Sequence, residues 1–165
     1  MHKDINSHAI QEDDVMTLIN TLMLNTKVET IDNTSGDPFW NKAEMLYLQA
    51  LFYYTLRHYD KRHQNFTTIL KLIRLSSPDN TGVSALDRLF DEWAKNEPDA
   101  IGVKQYKHFK VAASAPKMMS TIIMVATARL AAFNIKEIAN LTDTDDMELS
   151  RICLLYTSDA ADEAR

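Results

Sequence analysis

The stretch DPFWNKAEMLYLQALFYYTLRHY, residues 37–59, decides the fold. Asp37 followed by Pro38 is a helix start signal, because Asp caps the N-terminus and Pro suits the first helical position. Between Met45 and Leu56 the segment is apolar almost all round. Such a helix is usually central and covered by others. We therefore expect the segment to form the middle of a helical bundle.

Further helices are predicted on both sides of this stretch. Asn65 is suited to cap one of them, Ser84 and Asp87 have the spacing of a capping box for the next, and Asp99 is suited to cap the one after. The segments expected to be helical are 12–27, 38–59, 65–76, 84–96, 99–113 and 118–133, with a short helical turn at 136–141. The sequence therefore predicts an all-α fold, a bundle of six or seven helices.

The composition agrees with a single helical domain. The 165 residues include only three glycines and four prolines, too few for the tight turns of an all-β protein. The net charge of −5 gives no support for generalised binding of nucleic acid. The first residues lead into no apolar run, so no signal peptide is expected, and segment 118–133 is too short to span a bilayer.

The sequence holds no pattern of a catalytic or cofactor-binding site. A P-loop and a dinucleotide-binding fingerprint both need closely spaced glycines, and the three glycines are too far apart to supply them. His58 and His63 would allow a metal site, but an exposed loop between helices is the favoured interpretation. The acidic segment 143–148 lacks the glycine that an EF-hand loop requires. We therefore expect no catalytic residue, no metal and no cofactor in this chain.

Candidate contact residues lie in segment 99–113. On a helical wheel, Lys104, Lys107 and Lys110 fall on one side, within about 120° of each other. The residues on the opposite side are Ile101, Tyr106, Phe109, Ala112 and Ala113. The pattern predicts a basic stripe opposite a core face.

Lys117 would extend this stripe if the helix continued past Pro116. Two interpretations of the four lysines stay open. They form either an ordinary solvated face, which charge pattern alone favours, or a contact surface for DNA phosphate or an acidic partner.

Arg129 interrupts the apolar segment 118–133. Charged residues in such positions are seldom buried without a partner. The favoured interpretation is a long stem packed on apolar neighbours with the guanidinium in water. The alternative is an ion pair.

The last residues, CLLYTSDAADEAR at 153–165, follow no helical or strand period and include the only cysteine. Over eleven residues they match the translation of a transposase-based sequencing adapter. A natural acidic tail is the alternative. We expect a disordered tail of adapter origin and treat residues 1–152 as a fragment of an all-α domain. Without the tail's three acids and one arginine, the net charge of −5 becomes −3 and the chain has no cysteine.

Three stretches resemble TraG-type conjugal transfer proteins, the coupling proteins of type IV secretion systems. They are DPFWNKAEMLYLQAL at 37–51, VKQYKHFKVAASAPK at 103–117 and ARLAAFNIKEIANLTDTDDMEL at 128–149. The upstream DVMTLINTLMLNT, residues 14–26, fits the same family. The resemblance therefore covers most of residues 14–150.

This resemblance implies an all-α domain inserted in a membrane-anchored, homo-hexameric ATPase at the cytoplasmic face of the bacterial plasma membrane. The ATP and Mg²⁺ of the parent family are bound by motifs that this chain does not contain. The implied partners are relaxosome proteins or the transferred DNA, together with the rest of the motor. A free-standing helical interaction domain with no motor is the alternative function.

Overall fold

A computed structural model describes residues 12–26 and 38–131 of the chain. In these residues the order of elements is α1 (Glu12–Asn25), α2 (Pro38–His58), a 3-10 turn (Lys61–His63), α3 (Phe66–Arg74), α4 (Ala85–Asn96), α5 (Ile101–Ala112) and α6 (Pro116–Leu130). The predicted all-α bundle is confirmed. The predicted turn at 136–141, the acidic segment 143–148 and the tail at 153–165 lie outside the described residues.

Helix α2 is the centre of the bundle, as its sequence predicts. All nine residues from Tyr47 to Thr55 are buried. The helix packs against α1, α3, α5 and α6, most extensively against α5. A helix that is apolar on every side must be covered on every side, and this requirement places the other helices around it.

Of the four predicted caps, those at Asn65 and Ser84 are confirmed, and Asp37 lies outside the described residues. The side chain of Asn65 accepts a hydrogen bond from the Thr68 backbone N–H at 2.9 Å. Ser84 and Asp87 form a reciprocal capping box at the start of α4. Each cap satisfies backbone donors that the first helical turn leaves without a partner.

The predicted Asp99 cap is wrong. Helix α5 begins at Ile101 with Ala100 at the cap position, and no side chain caps it. The chain first makes a turn in which the Ala100 N–H donates to the Glu97 carbonyl at 3.2 Å. This turn delays the helix by two residues and leaves the Asp99 side chain 94% exposed.

Helix α4 lies against α5 through aromatic rings and one glycine. Phe90 stacks on Tyr106 with ring centroids 3.9 Å apart and an interplanar angle of 9°. Gly102 is buried, and a Cβ atom at this position would lie 2.5 Å from the Trp93 ring and 2.9 Å from the Cβ of Tyr53. The absence of a side chain at Gly102 therefore permits the close approach of α4 and α2 to α5.

Candidate DNA or partner interface

Helix α5 has a buried face and an exposed face, as the wheel predicts. Tyr106 is 7% exposed and Phe109 is 1% exposed, and both belong to the core. Lys104 and Lys107 are exposed on the other side of the helix. Because the aromatic face is fixed in the core, the direction of the two lysines is fixed as well.

Lys110 does not belong to the exposed face, which corrects the predicted stripe. Its ammonium group lies 2.9 Å from Oδ1 of Asp87, and its side chain is only 36% exposed. Lys110 follows the buried Tyr106 by four residues, so the two side chains lie on the same side of α5. The stem of Lys110 therefore runs along the α4–α5 junction to a carboxylate of α4.

Asp87 is the centre of a polar cluster at this junction. One carboxylate oxygen accepts from the backbone N–H and the hydroxyl of Ser84 at 2.9 and 2.8 Å. The other accepts from the Tyr106 hydroxyl at 2.9 Å and from Lys110. Burial opposes ionisation of Asp87, but the hydrogen bonds from Lys110, Ser84 and Tyr106 together lower its pKa to about 2. Burial and then the charge of Asp87 raise the pKa of Tyr106.

Lys117 also lies outside the predicted stripe, because α5 ends at Ala112 and Pro116 starts a new helix. Lys117 is exposed in the first turn of α6. Within residues 12–26 and 38–131, Lys107 and Lys117 form no ion pair, whereas Lys104 lies 3.3 Å from the exposed carboxylate of Asp99. Of the four candidate lysines, only Lys104 and Lys107 therefore share one exposed helix face.

The favoured interpretation of Arg129, with its guanidinium in water, is wrong. The side chains of Arg129 and Glu44 are 6% and 4% exposed. Arg129 Nε donates to Oε1 of Glu44 at 2.7 Å, and Nη2 donates to Oε2 at 2.9 Å. This bidentate geometry is the strongest form of an Arg–carboxylate pair. The pair joins the middle of the bundle, α2, to α6.

The remaining nitrogen of Arg129 reaches the end of α1. Nη1 donates to the Met23 carbonyl at 3.2 Å, to the Thr26 hydroxyl at 3.0 Å and to the Thr26 carbonyl. The last turn of α1 contains no basic residue of its own. Arg129 thus supplies both donors and positive charge to the negative end of that helix.

Sequence reasoning missed Glu44 as the partner of Arg129. A signal was present for Arg129, the one charge of segment 118–133, but Glu44 follows Lys42 by two residues and lies at the edge of the apolar run of α2. The separation of Arg129 and Glu44 by 85 residues gave no reason to pair them.

The two histidines of the possible metal site have separate environments. The His58 ring packs against Tyr54 and Trp93, with centroid distances of 4.3 and 4.9 Å. His63 contacts the carboxylate of Asp60, which caps the 3-10 turn. In the described part of the chain, His, Cys, Asp and Glu side chains do not form a group of three or more that would hold a metal ion.

Comparison with known proteins identifies the family. None of the described helices has the length and apolar character needed to cross a membrane. Comparison with curated proteins and with solved structures gave no match. A family model described as type IV secretory system conjugative DNA transfer matches residues 4–158 of the 165. This match confirms the resemblance carried by the three sequence stretches, and the chain belongs to the family of type IV secretory system proteins for conjugative DNA transfer.

Proposed function

We propose that this chain is the all-α recognition domain of a coupling protein, which contacts relaxosome proteins or the transferred DNA. In this proposal the domain acts in a homo-hexamer at the cytoplasmic face of the bacterial plasma membrane. A motor elsewhere in the complete protein binds ATP and Mg²⁺. The match to a conjugative DNA transfer family and the helical fold of the described residues support this assignment.

The exposed face of α5 is the observation that carries the recognition role. Lys104 and Lys107 project from a helix whose opposite face is held in the core by Tyr106 and Phe109. Side chains on a packed helix are positioned more reproducibly than side chains on a loop. Each contact to phosphate is weak and sensitive to salt, but many copies in a hexamer would act together.

The proposal assigns no ATP hydrolysis to the chain itself. Its three glycines, at positions 36, 82 and 102, cannot form the phosphate-cradling loop of a P-loop ATPase. We expect the purified chain to release phosphate from ATP no faster than buffer does. Turnover above this background would contradict the assignment.

The recognition role is tested with Lys104→Glu/Lys107→Glu in the complete coupling protein. We expect a normal circular dichroism spectrum and a reduced frequency of conjugative transfer. DNA retention, measured at two salt concentrations, should weaken most at the lower one, because screening already suppresses the contacts at high salt.

The matched control is Lys42→Glu/Lys95→Glu, which reverses two exposed lysines on α2 and α4. This control has the same net charge as the test variant, so it separates a local contact from general attraction. If a folded Lys104→Glu/Lys107→Glu variant shows unchanged transfer and unchanged DNA retention, the recognition role is contradicted. The two lysines then form an ordinary solvated face.

A further inference from the structure

A second basic surface lies on the 3-10 turn and α3, away from the predicted stripe. Residues 57–75 contain five lysines and arginines and one acid, in a chain whose net charge is −5. Arg57 is paired with Glu97. The α3 basic surface is defined here by the four cations that remain, Lys61, Arg62, Lys71 and Arg74.

The positions of these cations are set by local structure. Asn65 caps α3 and also donates to the Arg62 carbonyl at 3.0 Å, which ties the turn to the start of the helix. On α3, Lys71 and Arg74 are exposed, while Ile69 and Ile73 are in the core. The nine residues of α3 span about 13 Å, and Lys61 and Arg62 precede the first residue of the helix by no more than five positions.

Within residues 12–26 and 38–131, acidic side chains leave most of this surface without a partner. Elsewhere on the bundle, exposed arginines have carboxylate partners, as in the pairs Arg57–Glu97 and Arg88–Asp79. Among the described residues, the four cations of the α3 basic surface form no ion pair. The nearby acid, Asp60, is engaged by the His63 ring and backbone N–H.

Helix stabilisation does not account for the whole surface. Lys71 and Arg74 occupy the last turn of α3, where cations complement the negative end of the helix. Lys61 and Arg62 precede the positive end of the same helix, where a cation does not stabilise the helix dipole. Cations that lie before the start of α3 and again in its last turn instead match an anionic chain.

An exposed aromatic residue, Tyr59, precedes Lys61 by two positions in the chain. Tyr59 is 37% exposed, and its ring packs edge-on against Tyr54 with centroids 6.4 Å apart and an interplanar angle of 63°. A supported but accessible ring next to cations is the arrangement on which unpaired bases stack. Duplex DNA offers no such base, because its bases are stacked on each other.

We propose that the α3 basic surface binds single-stranded DNA. The four cations contact successive phosphates, and the Tyr59 ring stacks on one base. The inference rests on the proposed function for the presence of DNA, but it assigns the DNA to α3 rather than to the exposed face of α5.

The test measures binding of a fluorescently labelled oligonucleotide of deoxythymidine, single-stranded, to the full chain by anisotropy over a range of salt concentrations. The variants are Lys61→Glu/Arg62→Glu and Lys71→Glu/Arg74→Glu. We expect each to lower affinity about tenfold or more at low salt and to reduce the salt slope by about 1.4, since each lost contact to a single strand removes about 0.7. The control Lys42→Glu/Lys95→Glu carries the same change in charge and should bind nearly as the original chain does.

Tyr59→Ala separates single-stranded from duplex DNA. We expect affinity for the single strand to fall about fivefold or more, with the salt slope unchanged, because stacking on a base contributes about 1–3 kcal/mol and involves no charge. Binding of a duplex of the same length should not change. Equal losses for duplex and single strand, or no loss for either, would overturn the assignment to single-stranded DNA.

The outcomes also distinguish this inference from the proposed function. If Lys104→Glu/Lys107→Glu weakens binding and the α3 variants do not, the α3 site is overturned and the α5 proposal stands. If the original chain binds no single-stranded DNA, the α3 site is overturned directly. Should a glutamate variant lose its helical spectrum, Lys61→Gln/Arg62→Gln provides the same test with a smaller change, and binding equal to that of the original chain would contradict the inference.

Discussion

Two junctions of the bundle contain charged residues, and water reaches them to different extents. At the first, the buried pair of Arg129 and Glu44 joins α6 to α2 and to the end of α1. At the second, Asp87 and Lys110 lie at the edge of α4 and α5, whose contact consists mainly of aromatic rings. The stability of the first junction depends on its charged pair. At the second junction the charged pair only adds to the stability that apolar packing provides.

The difference shows how burial changes the consequence of losing one partner. A charge left alone at the α6 junction has no water to replace its partner, so the loss in free energy of unfolding is large. A charge left alone at the edge of α4 and α5 is partly hydrated, and the rings beneath it remain packed. The expected effects of substitution therefore rank from Arg129, through the α4–α5 packing, to Asp87.

The largest effect is expected for Arg129→Met. The change leaves the Glu44 carboxylate buried without a partner and removes the donor from the end of α1, so the free energy of unfolding should fall by about 3–5 kcal/mol. Urea denaturation of the full chain, followed by circular dichroism, measures it. Arg57→Met is the matched control, because it breaks the exposed pair with Glu97 and should change stability very little.

The double variant Glu44→Leu/Arg129→Met sharpens the same comparison. An apolar pair of similar volume removes both buried charges, so stability should recover most of what Arg129→Met loses. If the double variant is as unstable as the single one, the cost comes from lost packing or from the end of α1 rather than from an unpaired charge.

Gly102→Ala is expected to have an intermediate effect, at the apolar part of the second junction. The added Cβ would lie 2.5 Å from the Trp93 ring and 2.9 Å from the Cβ of Tyr53. Overpacking of this kind costs about 1–3 kcal/mol, against a gain in helix propensity of about 1 kcal/mol. Thermal and urea unfolding should show a net loss. Adding Trp93→Leu should relieve the clash, so that the two changes together cost less than their sum, and strict additivity would contradict the steric explanation.

The smallest effect is expected for Asp87→Asn, at about 1 kcal/mol near neutral pH. The folded pKa of Asp87, about 2, is below its ordinary value of 3.8. Ionised Asp87 therefore stabilises the fold above pH 4, and this contribution is lost as pH falls from about 4 to about 2. The difference in stability between the original chain and Asp87→Asn should shrink over the same interval, measured by urea denaturation at several pH values. A difference that stays constant would contradict the low pKa.

Local patterns predicted the elements of this bundle well. The continuous apolar run of α2, the Asn65 cap and the Ser84–Asp87 capping box each depend on residues within a few positions of one another. Interactions of this range are visible in the sequence because helix geometry alone brings the residues together. Asp99 was the exception, since a turn of the backbone ahead of α5 took the residue out of the cap position.

The candidate interface was predicted only in part, because its four lysines have the same side chain but different surroundings. Lys104 and Lys107 are exposed on α5, as their spacing predicts. Lys110 has the same three-residue spacing, yet it follows Tyr106 onto the side that faces α4 and meets Asp87 there. The wheel describes one helix and does not show where the neighbouring helix supplies a carboxylate.

The sequence by itself determined that the chain is all-α, that α2 is central and which family the chain belongs to, because apolar periodicity, caps and motif stretches are properties of consecutive residues. Only the tertiary structure decided that Arg129 forms a buried ion pair with Glu44 and that the Trp93 ring packs against Gly102. The same holds for the ion pair between Lys110 and Asp87. Each of these contacts joins residues on different helices. Their distances depend on how the helices cross, and the helices cross according to the packing of all their side chains at once.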